Sequence, residues 1–241
     1  MAKKGGSNRM KRLSAPRQWD IGRKGARFAW KPSPGPYATA YSYPLGLVIR
    51  DILGMVKDAR EVRHVLTLGE VLVDGRVRRS PSFPVGLFNV VEVPKEKQAF
   101  RFVPSPDGLK VTKVSGEEAK LKLCSIRRKL KAKGGVIQYG LHDGRSLLSD
   151  SLNLSPGDTV VLRVPEQSVV VSFKLAKGSL GLVISGERAG QLGKIIEVKK
   201  GSITRERMVE ISLPGGETEL PSRLILPVGT DKPIIGVTPN R

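Results

Sequence analysis

The chain of 241 residues has few of the side chains that bind metals or form covalent intermediates, with one cysteine and two histidines. The single Cys124 cannot form an internal disulfide, which agrees with a reducing compartment. Together with His64 and His142 it is too little for a zinc site of the usual Cys/His kind, and neither a His-x-x-x-His nor a Cys-x-x-Cys spacing occurs. Neither histidine stands beside an identifiable nucleophile. We therefore expect no catalytic residue, no metal and no cofactor.

Long apolar runs are also absent. No stretch approaches the roughly 18 apolar residues that span a bilayer, and no apolar segment follows the charges at the N-terminus. A phosphate-binding loop is not formed either, because Arg188 stands where its first glycine would be and Ile195 follows Lys194 where Ser or Thr is needed. These absences predict a cytoplasmic protein with no membrane partner and no small-molecule substrate.

Acidic residues are outnumbered, with 22 Asp and Glu against 42 Lys and Arg, a formal net charge of +20. Such a balance favours a polyanionic partner, and nucleic acid is the large polyanion that remains once a membrane is set aside. The alternative is a basic protein whose charge only aids solubility. Four aspartates stand beside glycines in predicted turns, where we expect each carboxylate to cap its own backbone: Asp74, Asp107, Asp143 and Asp158.

The first 31 residues contain ten Lys and Arg and one acid, Asp20, and glycines and prolines interrupt them. This composition cannot bury enough apolar surface to fold alone, so it predicts an extended basic arm that becomes ordered when it binds. A permanently solvated tail is the alternative. Trp19, Phe28 and Trp30 lie in the arm, where their rings could stack on bases or wedge against a partner.

Two helices and a hairpin are predicted next. Apolar residues recur at helical spacing from Leu45 to Val56, and a second helix follows Asp58, whose side chain forms a capping box with Glu61. The segment EVLVDGRVRR (70–79) then alternates around an Asp-Gly pair typical of a two-residue hairpin turn. The face of the second helix opposite its apolar stripe is cationic. It carries Lys57, Arg60, Arg63 and His64.

Strand patterns separated by turn signals every eight to twelve residues predict a central β domain after this hairpin. Nine Lys and Arg against two Glu lie between Lys110 and Lys133, and we expect those from Arg127 onward to contact phosphates, with a solvated face as the alternative. Near the C-terminus, GERAGQLGKIIEVKKG (186–201) predicts a glycine turn between two strands. Its glycines would allow close approach to a phosphate backbone that Arg188 and Lys194 neutralise, unless they serve hairpin geometry alone.

Two segments resemble known RNA-binding modules. The helices followed by G-E-V-L-V-D-G-R-V (69–77) resemble the alpha-L module shared by a bacterial ribosomal protein, pseudouridine synthases and tyrosyl-tRNA synthetase. That resemblance implicates Arg60, Arg63, Arg76 and Arg78 in RNA binding. The C-terminal glycine turn within its strand pattern resembles the KOW motif of several ribosomal proteins and NusG-type transcription factors.

The order of segments resembles one family over essentially the whole chain. KRLSAPRQW (11–19), PSPGPY (32–37), EVLVDGRVR (70–78), FPVGLFNVVEV (83–93) and PSRLILPVG (221–229) together resemble the e-type family of small-subunit ribosomal protein four, which occurs in archaea and eukaryotes. The resemblance implies a non-enzymatic constituent of the small ribosomal subunit. It also implies binding to small-subunit ribosomal RNA and to neighbouring ribosomal proteins, on ribosomes in the cytoplasm.

The predicted fold is multidomain and mainly β. It comprises a basic arm (1–43), an α+β alpha-L module (44–94), a central β domain (95–175) and a KOW-type small barrel with a short tail (176–241). The predicted RNA contacts are Lys11, Arg12, Arg17, Trp19, Lys57, Arg60, Arg63, His64, Arg76, Arg78, Arg79, Arg127, Arg128, Lys129, Arg188 and Lys194.

Two other functional classes share parts of this pattern. An RNA-modifying synthase with an alpha-L module would need a separate catalytic domain built around an aspartate motif. A transcription elongation factor with a KOW barrel would need a polymerase-binding domain with an apolar depression. The sequence shows neither feature.

Overall fold

The computed structural model describes residues 9–24, 26–132, 134–150, 152–202 and 205–237. The first eight residues of the predicted arm, the last four of the predicted tail and Lys133 lie outside these ranges. Within them the chain is mainly β, with two short α-helices and three five-stranded sheets.

The strands are short and follow one another closely along the chain. They are β1 (Met10–Lys11), β2 (Phe28–Ala29), β3 (Ser42–Pro44), β4 (Leu72–Val73), β5 (Arg76–Val77), β6 (Pro84–Gly86), β7 (Val90–Val93), β8 (Gln98–Ser105), β9 (Gly108–Val114), β10 (Leu121–Lys131), β11 (Ile137–Leu141), β12 (Ser146–Leu148), β13 (Thr159–Arg163), β14 (Ser168–Phe173), β15 (Leu180–Val183), β16 (Leu192–Lys199), β17 (Met208–Leu213), β18 (Gly216–Pro221) and β19 (Ile225–Gly229). Helix α1 (Leu45–Leu47) continues as a π-helical turn (Val48–Ile52), and α2 spans Ala59–Leu68. Single 3₁₀ turns lie at Arg12–Ser14, Thr39–Tyr41, Pro94–Glu96, Gly116–Lys120 and Ser222–Leu224.

Helix α2 begins and ends at the positions its sequence signals. The Glu61 carboxylate accepts hydrogen bonds from the backbone N–H groups of Lys57 and Asp58, at 3.0 and 3.3 Å, and these bonds lower the pKa of Glu61. Gly69 ends the helix with a φ of 77°, a left-handed conformation that favours glycine. The predicted capping box is therefore confirmed.

Sheet I has the strand order β5-β4-β7-β8-β9 and contains the predicted hairpin. Asp74 and Gly75 both have positive φ, 51° and 72°, as a two-residue turn between β4 and β5 requires. Strand β7 also pairs with β8, with Val90 opposite Arg101. The sheet thus continues past residue 94, where the sequence predicts the end of a domain, because the 3₁₀ turn after β7 reverses the chain into the same sheet.

Sheets II and III follow in chain order. Sheet II has the order β12-β11-β10-β13-β14, and sheet III has the order β18-β17-β16-β15-β19. The long strand β10 pairs with β13 along its first half and with β11 along its second half, and its register shifts between Ile126 and Arg128. Each neighbouring pair is antiparallel. Most pairs join consecutive strands, whereas β10–β13 and β15–β19 join strands that are distant in sequence.

The described part of the predicted arm belongs to the core. Trp19 is only 3% exposed and stacks on Tyr43 with 5.7 Å between ring centroids. Ala15, Ile21 and Ala29 are buried in the same cluster, with apolar residues of α1, α2 and sheet I. Burial of this apolar surface stabilises the folded arm without a partner. The prediction that the arm becomes ordered only on binding is therefore wrong for these residues.

Polar contacts fix the arm in the same position. The Arg12 guanidinium forms a 2.6 Å ion pair with Asp51, with both side chains largely buried. The Tyr43 hydroxyl donates to the carbonyl of Gln18 at 2.8 Å and accepts from the N–H of Asp20 at 3.1 Å. These bonds satisfy polar groups that burial would otherwise leave unpaired.

A buried group of four charges joins sheets I and II, and we call it the ionic cluster. Asp74 Oδ2 accepts hydrogen bonds from Lys122 Nζ at 2.7 Å, Asn89 Nδ2 at 2.7 Å and Arg145 Nη2 at 2.9 Å. Lys122 Nζ also lies 3.0 Å from Asp143 Oδ2. The carboxylates of Asp74 and Asp143 thus balance the cations of Lys122 and Arg145. The sequence predicts only a local turn role for Asp74, and this is wrong because its carboxylate binds side chains of other elements.

Burial and neighbouring charges shift the pKa values of Lys122 and Asp143 in opposite directions. Burial by itself would lower the pKa of Lys122, but the Asp74 carboxylate and other nearby groups raise it above its ordinary value. For Asp143, burial would raise the pKa, and the neighbouring Lys122 lowers it below the ordinary value. Lys122 and Asp143 therefore both remain charged near neutral pH. Asp143 and Asp158 accept hydrogen bonds from the backbone N–H groups of Arg145 and Ser155, as the turn prediction expects, but Asp143 also binds Lys122 in the ionic cluster, which the sequence did not predict.

A second junction includes the C-terminal segment. Arg101 on β8 is 1% exposed and donates to the Glu118 side chain at 2.6 Å and to the Gly236 carbonyl at 3.3 Å. The Glu118 carboxylate in turn accepts from the N–H of Gly236 at 2.8 Å. Phe88, in the turn between β6 and β7, packs in one apolar cluster with Ile235 and with residues of sheets II and III. The last described residues are thus part of the core.

Removing the lysine of the ionic cluster should destabilise the protein strongly. In Lys122→Met the Asp74 and Asp143 carboxylates keep only Arg145 as a cationic partner. We expect a loss of about 3–5 kcal/mol in the free energy of unfolding, measured by urea denaturation. Lys120→Met is the control, because that lysine is exposed and pairs with the exposed Glu117. Equal stability of the two variants would contradict a structural role for the cluster.

Trp19→Ala should also destabilise the protein in the absence of RNA. Loss of this buried ring is expected to cost about 3–5 kcal/mol, because the surrounding core can collapse only partly. The control is Phe28→Ala in the same arm, where the side chain is 43% exposed. If both variants unfold at the same urea concentration as the parent, the arm is not packed in the free protein.

Candidate nucleic-acid interface

Helix α2 presents the predicted cationic face to solvent. Arg60, Arg63 and His64 are exposed, whereas Val62 and Leu66 on the opposite side are buried. Lys57, just before the helix, is exposed as well. The apolar stripe packs on the core and leaves the cations free to approach a polyanion.

The hairpin that follows adds two exposed arginines and one that is packed. Arg76 and Arg79 are exposed, but the Arg78 guanidinium lies 4.3 Å from the centroid of the Phe83 ring. Burial lowers the pKa of Arg78, and its Nε has no hydrogen-bond partner among the described residues. The main contact of the Arg78 side chain is therefore its stacking on the Phe83 ring.

A groove of about 390 Å³ separates the arm from α2, and we call it the arm–helix groove. It brings Arg63 next to Arg9, Phe28 and Lys31, which come from the arm. Lys11 lies in an adjoining recess that shares Phe28. The sequence places Lys11 and Arg63 in separate domains, whereas the fold gathers them around one exposed aromatic ring.

Arg50 also lines the arm–helix groove, and sequence reasoning missed it. Its guanidinium stacks over the Trp30 ring at 4.6 Å and pairs with Asp51 at 2.7 Å. Asp51 binds Arg12 as well, so one carboxylate holds two arginines at the edge of the groove. No sequence signal singled out Arg50, because it lies within the stretch from Leu45 to Val56 that the apolar spacing predicts as one helix.

Sheet II carries the third group of cations. Arg127, Arg128 and Lys129 are exposed on β10, whereas Cys124 and Ile126 earlier in the strand are buried. The change follows the register shift after Ile126, where the strand leaves β13 and pairs with β11. Exposure of these three side chains agrees both with phosphate contact and with the solvated face that the sequence leaves open.

The glycine turn of sheet III has the predicted backbone conformations. It joins β15 to β16, and Gly186 and Gly190 have φ values of 96° and 84°. Gly193 lies in β16, where a Cβ would collide with the carbonyl oxygen of Ser212 on β17. Packing within the chain therefore requires glycine at position 193. This agrees with the alternative that the glycines serve the geometry of the hairpin and not the approach of a phosphate backbone.

Both cations of this turn have partners in the chain. Arg188 is half-buried and donates a hydrogen bond to the hydroxyl of Thr218. Lys194 is exposed and forms a 3.2 Å ion pair with the exposed Asp231. An ion pair this exposed contributes little, so Lys194 is free to exchange Asp231 for a phosphate.

Two predicted RNA contacts are corrected by their burial. Trp19 is enclosed in the core against Tyr43, so its ring has no free face for a base. Arg12 is buried and bound to Asp51 and to the carbonyl of Gly22. The sequence misassigned both because their surroundings are basic, while their own contacts are made with distant parts of the chain. Arg17 is exposed, and its contact with RNA stays a prediction.

Within the described ranges, no helix is long and apolar enough to cross a membrane.

Comparisons with known proteins agree with this architecture. A model of the Ribosomal family S4e matches residues 86–169, and a model of the RS4NT (NUC023) domain matches residues 4–39. The crystal structure of the 30S ribosomal protein S4e from Thermoplasma acidophilum is similar with a TM-score of 0.67 and 26% identity. That similarity covers 79% of this chain and 95% of the other.

Two curated relatives match over nearly their full length, and both are named small ribosomal subunit protein eS4. The one from Methanothermobacter thermautotrophicus is 40% identical over 233 residues, which is 95% of each chain. The one from Staphylothermus marinus is 37% identical over 245 residues, 98% of this chain and 97% of its own. Identity of this extent along both whole sequences reflects common descent, and the chain therefore belongs to the ribosomal S4e family.

Proposed function

We propose that the protein is a non-enzymatic structural constituent of the small ribosomal subunit that binds folded small-subunit ribosomal RNA. The observation that carries this proposal is the set of exposed basic side chains on α2 and the hairpin after it, Lys57, Arg60, Arg63, His64, Arg76 and Arg79. The relatives named above, which are small-subunit ribosomal proteins, support the choice of RNA. The protein would act in the cytoplasm on the ribosome, beside other small-subunit proteins.

The mechanism is electrostatic. Each Lys or Arg that reaches a phosphate releases condensed counterions, which favours binding and makes it dependent on salt. The arm–helix groove and the exposed cations of β10 add further contacts on the same chain. Connected contacts raise the effective concentration for one another, so modest individual affinities combine into tight binding.

Preorganisation of the described arm also favours RNA binding. Because Trp19 and its neighbours hold the described arm on the core, the cations of the arm are already in place before RNA arrives. Binding then does not have to supply the roughly 1–2 kcal/mol per residue that ordering a backbone costs. This is a different mechanism from the arm that orders on binding, which the sequence predicts.

We propose the same modules as the sequence predicts, but with different boundaries. We assign α1, α2 and sheet I with the arm to an alpha-L type RNA-binding unit that reaches Val114, sheet II to a central β unit, and sheet III to a KOW-type unit. Within them the proposed RNA contacts are Lys11, Arg17, Lys57, Arg60, Arg63, His64, Arg76, Arg79, Arg127, Arg128, Lys129 and Lys194. We propose that Arg78 and Arg188 support the neighbouring RNA contacts and do not bind RNA themselves. Each is held by a neighbour within the chain.

Sedimentation tests the proposed function directly. Lysate from the source cells is separated on a density gradient at moderate salt, and the protein is quantified by mass spectrometry in each fraction. We expect one copy per small subunit in the small-subunit and whole-ribosome peaks. Recovery mainly at the top of the gradient, or with RNA polymerase, would refute a ribosomal role.

Neutralising the exposed arginines of α2 and the hairpin should weaken RNA binding and reduce its salt dependence. In Arg60→Gln, Arg63→Gln, Arg76→Gln and Arg79→Gln combined, the slope of log K against log salt should fall by roughly 0.7–0.9 for each phosphate that the protein no longer neutralises. Arg78 is left intact because replacing it would also disturb its packing on Phe83. Filter binding to small-subunit ribosomal RNA at several salt concentrations gives the slope.

The control removes the same charge from a different part of the surface. The exposed lysines Lys97, Lys110, Lys113 and Lys120 are replaced by Gln, which lowers the net charge by the same amount. A smaller change in slope is expected for this control. If both quadruple variants change the slope equally, only total charge matters and the α2 and hairpin surface has no special part.

A further inference from the structure

A cleft of about 440 Å³ opens where the arm meets sheets II and III, and we call it the junction cleft. Tyr41 at the end of a 3₁₀ turn, Arg127 on β10 and Arg223 in the turn before β19 contribute to its lining. Apolar side chains such as Leu87 and Leu224 provide most of the remaining wall. The volume lies in the range of roughly 300–1,000 Å³ that is usual for sites holding one small ligand.

Tyr41 gives the cleft an exposed aromatic ring, which is uncommon in this protein. All twelve aromatic residues are described, and only two are exposed, Phe28 at 43% and Tyr41 at 54%. Phe28 lines the arm–helix groove, and Tyr41 lines the junction cleft. Each exposed ring therefore lies in a recess that also contains arginine, the combination with which proteins stack and neutralise single-stranded nucleic acid.

The charged side chains that line the junction cleft are all positive. Its lining includes two arginines, Arg127 and Arg223, and no carboxylate. Arg223 lies 3.5 Å from Glu206, but both side chains are more than half exposed, so this pair is weak. Both guanidinium groups are therefore available to an anion that enters the cleft.

His142 in the wall is held neutral. Its Nδ1 accepts from the backbone N–H of Ser125 at 3.2 Å, and Nε2 lies 3.4 Å from the carbonyl oxygen of Leu87. Burial, together with the nearby Lys122, lowers the pKa of His142 to about 4. The imidazole thus presents an uncharged wall near neutral pH and leaves the cleft's positive charge to the two arginines.

We propose that the junction cleft binds a single unpaired nucleotide of RNA. The base stacks on the Tyr41 ring against the apolar wall, and the flanking phosphates pair with Arg127 and Arg223. An unpaired nucleotide fits because stacking requires a free base face, which a base inside a helix does not offer. This inference rests on the proposed function, since it identifies the kind of RNA element that a site outside α2 and the hairpin recognises.

The test compares Tyr41→Ala with Tyr41→Phe, which keeps the ring. Two RNAs are used with the full chain: deproteinised archaeal small-subunit ribosomal RNA and a single-stranded decanucleotide of mixed sequence. We expect Tyr41→Ala to weaken binding to both RNAs by roughly 5- to 150-fold, the effect of losing one base stack. Tyr41→Phe should bind like the parent, and the salt slope of Tyr41→Ala should be unchanged because the arginines that pair with phosphates are still present.

A pair of arginine variants tests the pairing with phosphate. Arg223→Gln should lower the salt slope for the decanucleotide by about 0.7, the value for one phosphate of a single strand. Arg205→Gln is the matched control, because Arg205 is 67% exposed and pairs with Glu219, whereas Arg223 is 65% exposed and pairs with Glu206. Arg205 does not line the cleft and its replacement should leave the slope as in the parent.

Each outcome decides the proposal. Parent-like binding by Tyr41→Ala, or equal loss in Tyr41→Ala and Tyr41→Phe, would overturn stacking on this ring, as would equal slopes for the two arginine variants. If the parent binds ribosomal RNA no better than an unrelated structured RNA of equal length, the proposed function fails. The decanucleotide comparison still decides the cleft in that case, so the two failures are distinguishable.

Discussion

The carboxylate of Asp74 is the group on which the relative placement of sheets I and II depends. It stands in a hairpin turn of sheet I and binds Lys122 and Arg145 of sheet II, with Asp143 completing a neutral group of charges. Buried charges are stable only as a complete set, so the two sheets can meet in one arrangement. His142, next to Asp143, is thereby placed in the wall of the junction cleft.

Signals that act over a few residues were readable from the sequence. The Asp58–Glu61 capping box, the Asp74-Gly75 turn and the positive φ of Gly186 follow from hydrogen-bond geometry and steric limits within one turn. The boundary predicted at residue 94 remains a prediction, and sheet I continues across it for a reason that is not local. Proline and lysine there resemble a linker, but whether the chain leaves a sheet or returns to it depends on its pairing with β8.

Long-range contacts account for the remaining differences. Composition describes the arm as a polycation, yet several of its apolar residues, Trp19 and Ile21 among them, pack in the core. Arg12 pairs with Asp51, which is distant in the sequence. The cationic face of α2 was predictable because helical periodicity places its members together. Tyr41 and Arg223 of the junction cleft were not, because they are distant in sequence and only the fold makes them neighbours.

The contacts of Gly236 have a consequence for how the chain folds while it is being synthesised. Arg101 on β8 and Phe88 in the turn before β7 complete their surroundings with Gly236 and Ile235, and Gly236 follows Arg101 by 135 residues in the chain. Domains commonly fold in the order in which they emerge, from the N-terminus onward. Here sheet I emerges early but keeps part of its interior uncovered until residues 235 and 236 have also emerged, so this part of the core cannot close as an independent N-terminal unit.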